Sequence, residues 1–130
     1  MMKKYLADTQ VLLWMSQQPD NLSISAKNII ESESEIFLSY VSIWEIAIKI
    51  KIQKLNIEGD LDSFINSSLE KYDFKLLPIS LDHIYYTRHL PLNHRDPFDR
   101  LIIAQSFSEN MPVISADEAF DAYNVNRIWK

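Results

Sequence analysis

Short apolar runs of strand character alternate with stretches of helical spacing along this 130-residue chain, and that alternation constrains its fold most. Residues 4–7 read as a first strand, and the bulky apolar stretch 11–15 begins a buried helix. Ser23 or Ser25 can cap a short helix through Ile30. Residues 36–41, rich in β-branched and aromatic side chains, form the next strand, and Ser42 opens a helix through about residue 55. A helix over 61–72 has Leu61, Phe64, Ile65 and Leu69 at helical spacing; a strand follows at 75–79. A helix over 82–89, capped by Ser80, is stopped by Pro91. Asp96-Pro97 starts the next helix, because an Asp cap satisfies orphan amides and Pro presets the first helical dihedral; it runs to about residue 109. Residues 111–115, 117–123 and 127–129 close the pattern as strand, short helix and edge strand. Strands alternating with helices of this length predict a parallel α/β sheet with right-handed crossovers. The length predicts a single domain over 1–130.

In such a sheet every strand exit lies on one edge, so carboxylates far apart in sequence can meet in one crevice. Asp8, Glu45, Asp99 and Asp117 stand where strand-like sequence yields to a turn or a first helical turn. Converging carboxylates raise one another's pKa values unless a cation neutralises them. Hard oxygen ligands, with no Cys and no paired His, suit Mg2+ or Mn2+ better than zinc. Such a site activates water and stabilises charge on a phosphoryl oxygen.

Each acid also has a purely structural reading. Ser42-Ile43-Trp44-Glu45 fits a capping box. Asp99, at the third helical position, gains about 0.3–1 kcal/mol from the helix macrodipole. Asp117 can cap the last short helix. Asp8 can cap the first, assisted by Thr9, although burying an unpartnered carboxylate costs several kcal/mol.

Lys49, four residues after Glu45, forms either a helix-supporting ion pair or, with Lys51 or Lys54, a local phosphate contact. His89, His94, Arg95 and Arg100 crowd the approach to the Asp99 helix, as a basic loop for an RNA backbone or as solvated charges. Trp14, Trp44, Tyr85 and Tyr86 have faces on which bases can stack, and core packing is the expectation for the two tryptophans.

Composition removes several alternatives. A single glycine, Gly59, builds neither a dinucleotide fingerprint nor a P-loop. The absence of Cys excludes disulfides and thiolate zinc sites, and with no signal-like apolar N-terminal stretch it points to the cytoplasm. No run is long enough to span a bilayer. A net charge of −5 argues against whole-surface attraction to nucleic acid, yet carboxylates gathered around metal would dominate that total in a nuclease.

Four blocks in order carry a family resemblance: Tyr5-Leu6-Ala7-Asp8-Thr9-Gln10-Val11-Leu12-Leu13-Trp14, Ser42-Ile43-Trp44-Glu45-Ile46-Ala47-Ile48-Lys49, His94-Arg95-Asp96-Pro97-Phe98-Asp99-Arg100-Leu101-Ile102-Ile103-Ala104-Gln105, and Ile114-Ser115-Ala116-Asp117. Over almost its whole length the chain resembles the PIN-domain family and, within it, VapC-type toxins of bacterial toxin-antitoxin modules. The resemblance implies a three-layer α/β/α sandwich with a central parallel sheet and a Mg2+- or Mn2+-dependent endoribonuclease site. Asp8, Glu45, Asp99 and Asp117 match the family's four acids in turn, Asp8 and Asp99 as the firmest ligands, and Ser115 matches the small hydroxyl residue before the fourth. Asp96 reads as a cap close to the site. Gln10 departs from the His that relatives often carry there. The resemblance further implies an RNA substrate, a cognate antitoxin protein and a homodimer. Two other classes compete: a non-catalytic RNA- or protein-binding module on the same fold, and a phosphoryl-transfer receiver or phosphatase. The latter is disfavoured because Asp8 lacks a paired acid and no Lys ends a late strand.

Overall fold

Tyr5, Leu6 and Ala7 are all buried, so β1 (Lys4–Ala7) has no solvent face, as a central parallel strand between two helical layers requires. The computed structural model describes residues 2–92 and 96–130. On one side of β1 lies β2 (Glu35–Ser39), with Tyr5 opposite Ile36 and Ala7 opposite Leu38. Beyond it runs β3 (Phe74–Leu77). On the other side β4 (Val113–Ile114) places Ile114 opposite Ala7, and β5 (Arg127–Ile128) forms the edge. All pairings are parallel, in the order β3-β2-β1-β4-β5.

The helices are α1 (Thr9–Gln17), α2 (Ile24–Glu31), α3 (Tyr40–Lys51), α4 (Leu61–Tyr72), α5 (Leu81–Tyr86) and α6 (Pro97–Glu109); 3-10 turns occupy Pro19–Asn21, Thr87–His89 and Glu118–Tyr123. Alternation along β1 splits the core into two. Tyr5 and Ala7 pack with Val11 and Leu12 of α1, Ala26 of α2 and Ile65 of α4. Leu6 packs on the opposite face with Ile102, Ile103 and Ala104 of α6 and with Phe120. Each fully buried Leu or Ile contributes about 1.5–3 kcal/mol, so both layers are held by burial rather than by helix propensity. The result is the expected three-layer α/β/α sandwich.

Caps set most helix starts. The side chains of Ser23, Asp60 and Ser80 each accept an amide of the first turn, and Ser80 forms a full capping box with His83. Asp96 accepts from two amides of α6, as Asp96-Pro97 predicts. The exception is α1, whose N-terminal Asp8 side chain caps no amide, while α3 is capped at a place other than the expected one. Helix α3 begins at Tyr40, capped by Ser39 through the Val41 amide, and ends at Lys51. Ser42 is therefore inside the helix, and the capping box read for Ser42 and Glu45 does not form. The last helix is a 3-10 turn rather than an α-helix. With one glycine in the chain, Asp73, Asn110 and Asn124 take the left-handed conformation that ends their helices, at φ of 56°, 54° and 59°. Among the described residues, no helix is long and apolar enough to cross a membrane.

Candidate active site

From β1 the sheet grows outward through β2 and β3 on one side and through β4 and β5 on the other, so the topology reverses between β1 and β4. In open α/β sheets, ligand crevices form at such a reversal, outside the carboxyl ends of the strands. Asp8 and Ser115 are the first residues beyond β1 and β4. Asp8 is 9% exposed and Ser115 is fully buried. The Ser115 hydroxyl donates to Asp8 Oδ2 at 2.8 Å, and its oxygen accepts the Asp117 amide at 3.0 Å. One hydroxyl thus ties together the segments carrying the first and fourth acids.

A second hydroxyl pair joins α1 to α3. Thr9 Oγ1 lies 2.8 Å from Ser42 Oγ and 2.7 Å from Glu45 Oε1. A carboxylate only accepts and Thr9 has one hydroxyl proton, so Thr9 donates to Glu45 and accepts from Ser42. Lys49 Nζ stands 3.4 Å from Glu45 Oε2, which gives the second carboxylate oxygen a partner and realises the ion-pair reading of Lys49. Asp99 sits in the first turn of α6, where Asp96 Oδ1 accepts the amides of Phe98 at 2.9 Å and Asp99 at 3.2 Å. The rings of Trp44 and Phe98 meet edge to face at 5.1 Å, which pins the start of α6 against α3 beside Glu45.

The electrostatics follow from this packing. Burial pushes the Asp8 carboxyl up to about 7; the Ser115 hydroxyl pulls it down, and the charges of Asp99 and Glu45 push it up again. Asp8, Glu45 and Asp99 therefore share one anionic field. Asp117 stands at the rim: it is exposed, and its Oδ1 accepts the Ala119 amide at 2.9 Å as a cap.

Among the described residues, no cationic side chain pairs with Asp8, and no group of three or more Asp, Glu, His or Cys side chains stands in ligand geometry. A cation would have to draw the three carboxylates inward. The donor set nevertheless fits a hard divalent ion: every candidate group offers oxygen, and the buried Asp8 carboxylate under two like charges calls for positive charge.

Arg100 is committed elsewhere. Its guanidinium donates to the carbonyls of Thr87, Leu90 and Pro91 at 3.2, 3.4 and 2.7 Å and to Tyr123 Oη at 3.3 Å, stapling the segment before α6. Arg95 and His94 lie outside the described residues. Trp44 departs from its expected core position and is 59% exposed, whereas Trp14 is half-buried against Trp129. The sequence reading missed two supporting residues. Ser42 was legible, since a hydroxyl three residues before Glu45 shares its helical face. Arg127, which donates to the Ser115 carbonyl at 3.1 Å and to both carboxylate oxygens of Asp121, had no local signal.

Solved structures share this architecture. VapBC2 from Rickettsia felis, solved bound to a DNA fragment from its promoter, aligns with a TM-score of 0.74 at 16% identity, over 98% of this chain and 99% of that one. VapBC-5 from Mycobacterium tuberculosis, of the VapBC family of toxin-antitoxin systems, gives 0.60 at 18% identity over 96% and 95%. FitAcB from Neisseria gonorrhoeae gives 0.63 at 18% over 95% and 96%. At these identities the likeness is one of fold. Comparison with curated proteins gives no match. The model of one family, described as the PIN domain, matches residues 5–126, which takes in all four acids and the sheet from Tyr5 of β1 through β4, stopping just before β5, and this chain belongs to the PIN-domain family.

Proposed function

We propose that this protein is a Mg2+- or Mn2+-dependent endoribonuclease, the toxin component of a toxin-antitoxin pair, acting in the cytoplasm. The observation that carries the reading is the buried Asp8 carboxylate, set at the topological reversal of the sheet under the charges of Glu45 and Asp99. In this reading Asp8 and Asp99 are the principal ligands, and Glu45 and Asp117 complete the shell directly or through water. When bound, the ion supplies an activated water and offsets charge on the scissile phosphate.

The chain's own residues supply orientation. Ser115 holds Asp8 Oδ2, Thr9 and Lys49 hold the two oxygens of Glu45, and the Asp96 cap fixes the turn that bears Asp99. Carboxylates held this way need little reorganisation when substrate arrives. Arg95 is the proposed contact to RNA phosphates. The toxin-antitoxin complexes among the structural neighbours support an antitoxin protein as partner. Pairing of two copies belongs to the same reading.

The test joins binding to activity. Micromolar to millimolar Mn2+ should raise the melting temperature of the wild-type protein. Asp8→Asn and Asp99→Asn should abolish both that rise and RNA cleavage, and EDTA should silence the wild type. Full cleavage by both variants refutes the site. The non-catalytic binding module is favoured by one observation: among the described residues, the acids do not stand in ligand geometry without an ion. RNA binding with no cleavage, and with a melting temperature indifferent to Mn2+, selects that reading.

A further inference from the structure

A large aromatic side chain left in water next to a phosphate-handling centre has a natural use, because every nucleobase offers it a flat apolar face. Trp44 is such a residue. It immediately precedes Glu45 on α3, and its indole is 59% exposed although most of the chain's other large apolar groups are buried or half-buried. The ring is nevertheless held: Phe98, immediately before Asp99, meets it in an edge-to-face contact at 5.1 Å, interplanar angle 80°. An edge-to-face contact fixes the plane of an indole without covering both of its faces. The Trp44–Phe98 pair therefore bridges the two helices that carry Glu45 and Asp99. Tyr40, one turn earlier on the same helical side, is 45% exposed and extends the aromatic surface.

We propose that Trp44 is a specificity-determining residue of this site: its fixed, exposed indole stacks on the unpaired base flanking the phosphate held at Asp8, Glu45 and Asp99, and so selects purine over pyrimidine at that nucleotide. The assignment rests on the ribonuclease reading. Purines present the larger stacking surface, and stacking of this kind discriminates by strength rather than by hydrogen-bond readout.

The test separates the two ideas. In an Asp99→Asn background, hexaadenylate and hexauridylate are titrated while tryptophan emission is recorded; Trp14 and Trp129, in contact at 5.6 Å and half-buried, supply a constant background. Hexaadenylate should quench the emission and bind several-fold more tightly than hexauridylate. Trp44→Ala should weaken hexaadenylate binding by about 5- to 100-fold and abolish the purine preference. Trp44→Phe, which keeps an aromatic face and guards against a folding defect, should lose the quench while retaining affinity within about threefold and the preference. Cleavage sites mapped for the Asp99 parent should carry a purine at one fixed flanking position, and Trp44→Ala should flatten that bias.

An unchanged emission on saturation with hexaadenylate, or a Trp44→Ala variant that binds it as tightly as its parent, overturns the proposal. Emission that responds to a co-purified protein partner but not to either oligonucleotide also overturns it, by assigning the ring to a protein contact. A ring that responds to hexaadenylate in a protein that cuts no RNA leaves the stacking assignment standing and removes the nuclease reading.

Discussion

Asp8→Asn should stabilise the metal-free fold at neutral and alkaline pH, although it removes a residue at the centre of the site. In the unfolded chain this carboxyl titrates near 3.8; in the fold, burial, with the charges of Asp99 and Glu45, holds it at about 7 despite the Ser115 hydroxyl. The folded protein thus binds the proton more tightly. The contribution of Asp8 to stability is greatest below about 3.8, falls as pH rises and levels off above about 7. A tenfold difference in proton affinity is worth about 1.4 kcal/mol, so the whole loss is about 4 kcal/mol, of which more than half falls between pH 5 and pH 8. Glu35, Asp60 and Asp121 are held below their ordinary values by hydrogen bonds from Lys75, Ser63 and Arg127. Their contributions are lost as pH falls, below this window, and are common to both proteins. Asn keeps the shape of Asp and still accepts from Ser115, but carries no charge. The assay is urea unfolding in EDTA at several pH values from 5 to 8. The variant's advantage should grow by about 2–3 kcal/mol across that range. Saturating Mn2+ should cancel the wild-type decline and leave the variant unchanged. Parallel pH profiles for the two metal-free proteins would refute the account of Asp8 as a carboxylate buried at a cost.

Thr9→Val removes the hydroxyl that serves both Ser42 and Glu45 and should cost about 1–3 kcal/mol in urea unfolding, with RNA cleavage reduced; Thr9→Ser should restore both, and a neutral Thr9→Val would disprove the bridging role. Arg100→Leu deprives the Thr87, Leu90 and Pro91 carbonyls of a charged donor and should lower stability by about 1.5–3 kcal/mol without changing RNA affinity measured by fluorescence anisotropy. The reverse pattern would reassign this guanidinium to the substrate.

Where structure is set locally, the sequence was readable. Asp96-Pro97 carries its own cap and dihedral, and the Leu61–Tyr72 helix advertises a single apolar face; both appear as expected. Ser42 misled because a Ser followed three residues later by Glu fits a capping box wherever it falls. Ser39 competes for the same role, and burial of Val41 and Ser42 draws the start of the helix back to Tyr40. Trp44 misled for another reason: hydrophobicity says that a ring prefers burial, and only the placement of α6 determines that this one meets Phe98 edge to face and otherwise stays exposed. Arg100 and Arg127 depend on partners remote in sequence or on backbone carbonyls, which leave no trace in residue spacing. Asp8, Asp99 and Asp117 were legible as positions at element boundaries, whereas Glu45, expected in the first turn of its helix, lies in the second turn of α3. That Asp8, Glu45 and Asp99 share a field while Asp117 caps a turn at the rim follows from the strand order, which alternation alone does not specify.

The two strands beyond β1 on the β4 side are each only two residues long, and Arg127 on the outermost is clamped to Asp121. A border so brief exposes few free amides and carbonyls, so an incoming polypeptide finds almost no template on which to extend the ladder. At the opposite margin, Lys75 of β3 is joined to Glu35 at 2.6 Å, placing charge where a hydrophobic visitor would dock. Copies of this protein that meet at high concentration are thereby steered away from fibril-like growth, and any lasting association between them must be built from side chains.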